Sequence, residues 1–213
     1  TFSRPFQRII SLYPAHTTNL MDLGLDKEII ACGQGDNQLP GRPSVRFQDD
    51  PERLLALKPD LVLIRPMISR GYPNLVRILE QNKVRVVSLQ PTEMDELFNY
   101  WQDLGTLTGR EEQARAMIAT FNQRLGAMTA SLNAIPKEKR KRVYFEAMHE
   151  QMKTFAPTSM AMFVLESAGG VNVAMDADRM RETNIAAYGK ERILAFAPDA
   201  SPEANPDLDA AAG

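Results

Sequence analysis

The sequence holds a single cysteine, Cys32, in 213 residues. That excludes an internal disulfide and a cysteine zinc site. Cys32 stands in the apolar run at residues 29–32 and reads as a buried, inert thiol. It is too far from the N-terminus to carry a lipid. Histidine is almost as scarce, with His16 and His149 alone, too few for a histidine-rich metal cage. No sign of charge dominates: the net charge is −2, and nothing points to nucleic acid. No apolar run approaches the ~18 residues of a membrane-spanning helix. A basic-then-apolar leader is absent too, but a leader removed by processing leaves no trace, so this excludes nothing. There is no GxxxxGK phosphate loop and no G-x-S-x-G elbow, and the chain is expected to do no chemistry.

What is present is organised around residues 108–135. The apolar positions Ala114, Met117, Ile118, Phe121, Leu125, Met128, Leu132 and Ile135 recur at spacings of three and four, which is one face of a helix. Thr108 three residues before Glu111 has the pattern of a capping box, and Pro136 ends the segment. The expected helix is about 26 residues and about 39 Å long, roughly twice the ordinary length. Such a helix is either a coiled-coil arm or a strut between two bodies, and similar flanks favour the strut.

The flanks do look alike. Before the helix, residues 8–13, 28–33, 61–64 and 84–89 read as strands. They alternate with helices expected from Asn19 (capped by Thr17 or Thr18), over the segment ERLLAL, over residues 74–82, and through Leu97 to Leu104. Residues 33–43 and 65–73 read as loops. Alternation of this kind implies parallel pairing in an α/β sheet. After the helix, the basic run at residues 136–142 reads as a solvated turn. Strands are expected at 142–147, 153–156 and 171–174, with helices at 159–168 and 189–197. Residues 52–60 are ERLLALKPD and residues 191–199 are ERILAFAPD, identical at six of nine positions, with apolar residues kept at Leu54/Ile193 and Leu57/Phe196. The expected organisation is an N-terminal α/β lobe (1–107), a connecting helix (108–136) and a C-terminal α/β lobe (137–213). The second copy of the repeat is followed by no strand. The second lobe is therefore expected to be incomplete, with an exposed edge or apolar face.

The segments RIISLYPAHTTNLMDLGL, PERLLALKPDLVLI, LGTLTGREEQA and GKERILAFAPD together resemble the class III substrate-binding proteins of ABC transporters, the group serving vitamin B12, ferric siderophores and haem. The resemblance covers about residues 8–199. It implies two α/β lobes with parallel-type sheets joined by one rigid helix, and a ligand held between them. The usual glutamate after the threonines is Asn19 here, read as tuning of the helix start or the cleft edge. The resemblance further implies an extracytoplasmic binding component of an ABC importer. It would lie in the periplasm or be anchored on the outer face of the cytoplasmic membrane, act as a monomer without a cofactor of its own, and meet a permease dimer. Glu52 and Glu191, one per lobe, correspond to the glutamates that pair with permease arginines. Physically, each also suits the first turn of a helix.

Ligands of open parallel sheets sit beyond the carboxyl ends of the strands. Those ends nominate Tyr13 and His16, then Arg65, Met67, Arg70 and Tyr72, then Gln90, and in the second lobe Met148 and His149. A guanidinium suits anionic oxygen ligands. Tyrosines can stack on a flat ligand or donate a hydroxyl, and methionines adapt to irregular apolar surfaces. The histidines are ordinary hydrogen-bonded loop residues or ligands to a metal. The favoured cargo is an anionic iron–siderophore or haem, with a corrinoid as the alternative. A different class, a two-lobed tetrapyrrole metal chelatase or metallochaperone, would instead use His16, His149 or Glu146 as metal or proton carriers.

Overall fold

A computed structural model describes residues 4–148, 151–180, 183–196 and 198–199. It divides into two compact units. The first comprises the described residues up to Pro91 with Leu97–Ala119, the second Thr92–Glu96 with the described residues from Thr120 on.

The first unit is a parallel α/β layer structure. Its strands are β1 (Ile9–Ser11), β2 (Ile29–Gly33), β3 (Ser44–Val45), β4 (Leu61–Ile64) and β5 (Arg85–Ser88), in the order β3-β2-β1-β4-β5. Every pair is parallel. Strands β1 and β4 are buried at every position, as expected of a sheet covered on both faces. The helices are α1 (Pro14–Asp22), α2 (Pro51–Ala56), α3 (Pro66–Gly71), α4 (Pro73–Gln81) and, from Leu97 on, α5 (Met94–Thr108). Four of them begin with proline, whose fixed φ and missing N–H suit a first helical position. Pro14 therefore starts α1 at once, with Tyr13 as its N-cap. Thr17 and Thr18 lie inside the helix, not at a cap before Asn19. Pro66 likewise turns the expected loop at 65–73 into α3. The Asp50 carboxylate accepts from the Glu52 N–H and caps α2.

The long helix, α6, runs Glu111–Leu132, 22 residues and about 33 Å. It is shorter than its periodicity implies because Thr108 belongs to the preceding helix. The Thr108 hydroxyl donates back to Leu104 O at 2.7 Å, so the expected capping box does not form. Gly109 ends α5 at φ +68°, in the left-handed region that favours glycine. At the other end, the Arg140 guanidinium donates to Leu132 O at 3.0 Å, satisfying a terminal carbonyl of the helix, and to Ile135 O just beyond it at 3.3 Å. Part of the basic run is thus a helix cap.

The second unit contains β6 (Arg142–Val143), β7 (Glu146–Met148), β8 (Lys153–Phe155), α7 (Met160–Ser167), β9 (Val171–Asn172), β10 (Asp178–Arg179), β11 (Ile185–Ala187) and α8 (Lys190–Phe196). Strands β6 and β9 pair in parallel. The larger sheet, β10-β11-β8-β7, is antiparallel throughout, which corrects the expectation of parallel pairing here. Its core packs Tyr144, Val173, Ala174, Ala177, Ala186 and Tyr188. All the exposed large hydrophobic residues among those described fall in this unit, led by Leu194 at 68 %, Val164 at 59 % and Met175 at 58 %. An exposed apolar face was expected here. Residues 200–213 lie outside the described residues.

Candidate ligand-binding site

Strands β1 and β4 are neighbours, with Ser11 opposite Leu63 and Leu12 N donating to Leu63 O at 3.0 Å. Their carboxyl ends therefore emerge side by side. Tyr13 follows one and Arg65 the other, and the Arg65 guanidinium carbon lies 4.6 Å from the centroid of the Tyr13 ring. A cation over a ring face at this distance is electrostatically attracted. Both residues are half-buried. The Arg65 Nε is buried and has no hydrogen-bond partner among the described residues.

His16 is not a loop residue. It sits in the first turn of α1, 1 % exposed. Its Nδ1 lies 2.8 Å from the Tyr100 hydroxyl and its Nε2 3.2 Å from Ile64 O. A carbonyl can only accept, so Nε2 carries the proton, and Nδ1 accepts from Tyr100. Burial holds the imidazole pKa down at about 4, opposed by the bond to Ile64 and reinforced by the nearby Arg65 charge. Burial also pushes the Tyr100 phenol well above its ordinary value. With both nitrogens engaged, His16 has no free lone pair for a metal.

The other candidates separate. Tyr72, the N-cap of α4, is half-buried with its ring 4.9 Å from Phe47 in an edge contact. Met67 packs with both against the apolar core. Arg70 is exposed in the last turn of α3, and Gln90 is exposed beyond β5. Met148 ends β7 in the second unit and is half-buried. His149 lies outside the described residues. Glu52 and Glu191 are exposed in the first turns of α2 and α8. Glu146 is buried, 9 % exposed, in the second unit, its carboxylate accepting from Met152 N at 3.3 Å. The described residues contain no cluster of three or more metal-ligating groups, and no described helix is long and apolar enough to cross a membrane.

Residue-by-residue reading missed the polar frame around Tyr13. The Thr17 hydroxyl donates to Asp36 at 2.6 Å and lies 2.8 Å from Ser11 Oγ. Gln38 accepts from Thr18 at 2.6 Å and donates to Pro14 O at 2.9 Å. These bonds fasten the loop at 33–43 over the start of α1. The polar, turn-rich composition of that loop, placed after a buried strand, was the available signal. Asn19 accepts from Trp101 Nε1 at 2.6 Å. It ties α1 to α5.

Comparison with known proteins follows the fold. Residues 9–201 match the model of the periplasmic binding protein family. An uncharacterised ABC transporter substrate-binding lipoprotein of Bacillus subtilis, YvrC, is 22 % identical over 151 residues, 68 % of this chain and 48 % of that protein. The chain thus matches about half the length of this curated relative. A "possible" iron-binding (periplasmic solute-binding) protein of Staphylococcus epidermidis superposes with a TM-score of 0.80 at 24 % identity, covering 94 % of this chain and 78 % of its own. The periplasmic haem-binding protein HutB of Vibrio cholerae superposes with a TM-score of 0.77 at 19 % identity, covering 97 % and 79 %.

Proposed function

Since the chain belongs to the periplasmic binding protein family, we propose that it is the solute-binding component of an ABC importer and that it captures an anionic metal chelate, an iron–siderophore or haem. The family is one of solute-binding proteins, and no chemical step is assigned to any residue. The observation that carries the reading is the Arg65–Tyr13 pair at the carboxyl ends of adjacent buried strands. A half-buried guanidinium offers charge-assisted donors that favour an oxyanion. The tyrosine beneath it holds the guanidinium against its ring face. Met67 and Tyr72 add apolar surface on the same unit, and Arg70 adds a second cation. Glu52 and Glu191 are proposed to dock the permease, and the protein is proposed to work as a monomer outside the cytoplasmic membrane. A neutral corrinoid is the second reading.

The test is a titration of the purified protein with haemin, a ferric trihydroxamate and cyanocobalamin, followed by Trp101 and tyrosine fluorescence. Binding of haemin or the hydroxamate, weakened about tenfold or more by Arg65→Ala as expected for loss of a charge-assisted contact, supports the proposal. Binding of cyanocobalamin alone, insensitive to Arg65, selects the corrinoid. Insertion of a metal into free porphyrin would move the protein into the chelatase class.

A further inference from the structure

We propose that His16 is a positioning residue that holds Arg65 over the Tyr13 ring, without touching the ligand itself; the proposal rests on the reading of Arg65 and Tyr13 as ligand contacts. The imidazole makes three contacts, and two of them bear on that pair. Nε2–H donates to the carbonyl of Ile64, the peptide group that immediately precedes Arg65. The ring meets the Tyr13 ring edge-on, with centroids 5.3 Å apart and planes at 82°. The third contact, from the Tyr100 hydroxyl to Nδ1, fixes the tautomer that lets Nε2 donate. One side chain therefore sets both the backbone from which the guanidinium departs and the ring on which it rests.

A purely architectural role is the competing account, because His16 also ties α1 to α5. The structure supplies a control for it. Asn19, three residues further along α1, makes a second α1–α5 tie through Trp101 and also reaches the Tyr100 side chain, but among the described residues it bonds to none of Ile64, Arg65 and Tyr13. Loss of either residue loosens the two helices. Only loss of His16 removes the support beneath Arg65.

The experiment reads Arg65 directly. The Arg65 Nε–H is buried, so its proton NMR signal should exchange slowly with water. It should also be displaced by the Tyr13 ring current. Loss of the signal in Arg65→Lys assigns it, and Tyr13→Leu gives its undisplaced position. The side chain of His16→Gln can reach Ile64 O, and this variant is expected to keep the displacement. His16→Asn, one methylene shorter, is expected to move the signal to the position seen in Tyr13→Leu. Asn19→Ala is expected to leave it displaced. In parallel, His16→Asn should weaken haemin binding about tenfold, the scale seen when a residue supporting a ligand-contacting group is lost, and His16→Gln should restore most of it.

A wild-type-like signal in a folded His16→Asn protein overturns the proposal. So does the same loss of displacement in Asn19→Ala, which would make the effect one of general helix packing. If His16→Asn does not fold, His16→Leu is read by the same signal and the same criteria. A wild-type protein that binds none of haemin, ferric trihydroxamate or cyanocobalamin would sink the ligand reading. The NMR comparison would still decide the role of His16.

Discussion

The pairing of Arg65 with Tyr13 depends on two residues 52 positions apart in sequence, and their meeting follows from strand order alone. Once β1 and β4 are adjacent and parallel, the residues that follow them must be neighbours. The partners of His16 are less accessible to sequence reasoning. Ile64 and Tyr100 lie 48 and 84 positions away, and nothing local to His16 announces them. A histidine after a strand reads first as a hydrogen-bonded scaffold residue, and only burial and partners decide against a ligand role. Burial also makes it an acid-sensitive element of stability. The folded protein holds the imidazole pKa at about 4, against 6.5 for the free side chain. As pH falls below 6.5 the unfolded chain takes up the proton and the folded chain does not. The contribution is therefore complete above pH 6.5 and is lost as pH falls towards 4. The loss should total about 3 kcal/mol at about 1.4 kcal/mol per pH unit. Urea denaturation followed at Trp101 should show this decline between pH 6.5 and 4.5. His16→Gln, with no titrating group, should lack it. An equally steep decline in His16→Gln would locate the acid sensitivity elsewhere.

At the level of secondary-structure elements, the clearest test lies in two glycines. Gly105 on α5 is buried, and a Cβ placed there would stand 2.9 Å from the Ala114 Cβ and 3.1 Å from Arg110 O. Arg110 lies in the turn from α5 into α6 and Ala114 in the first turn of α6, and neither obstacle is the free end of a flexible side chain. Gly105→Ala should therefore destabilise the protein by about 1–3 kcal/mol through overpacking. Gly126, in the middle of α6, is exposed and has nothing within 4 Å of its would-be Cβ. There the same substitution should stabilise by about 0.5–1 kcal/mol, because alanine loses less conformational freedom in a helix. Thermal melting of both variants checks the pair, and melting shifts of the same sign would refute the placement of α5 against α6. These helices also mark the limit of sequence reasoning. The spacing from Ala114 to Leu132 placed the body of α6 correctly. Thr108 and Glu111 have capping-box spacing, but a threonine hydroxyl four residues after Leu104 in a helix finds a carbonyl just as readily. In the second unit the strands have two or three residues each. That is too short for alternation to distinguish antiparallel from parallel pairing.

Across the whole molecule, the repeated segments ERLLALKPD and ERILAFAPD give the two units one feature in common. Each presents a glutamate in the first turn of a short helix, Glu52 on α2 and Glu191 on α8. Both are exposed, and among the described residues neither has an ion-pair partner. A carboxylate in a first helical turn gains about 0.3–1 kcal/mol from the helix dipole, and by itself that would explain its presence. The docking proposal requires more, because a charge that recognises a partner acts on association and leaves the ligand site alone. Glu52→Ala and Glu191→Ala should each slow ligand uptake by the cognate permease in proteoliposomes. Together they should lower it by about tenfold or more, an effect that raised salt should mimic in the wild type as surface charges are screened. Haemin or hydroxamate affinity, measured at Trp101, should stay at the wild-type value in all three proteins, and the melting temperature should fall only by the small amount the dipole term allows. Full uptake by the double variant would reduce both glutamates to helix-end charges. Loss of uptake accompanied by loss of ligand affinity would place them in the binding step and overturn the division of labour proposed between Arg65–Tyr13 and the two helix starts.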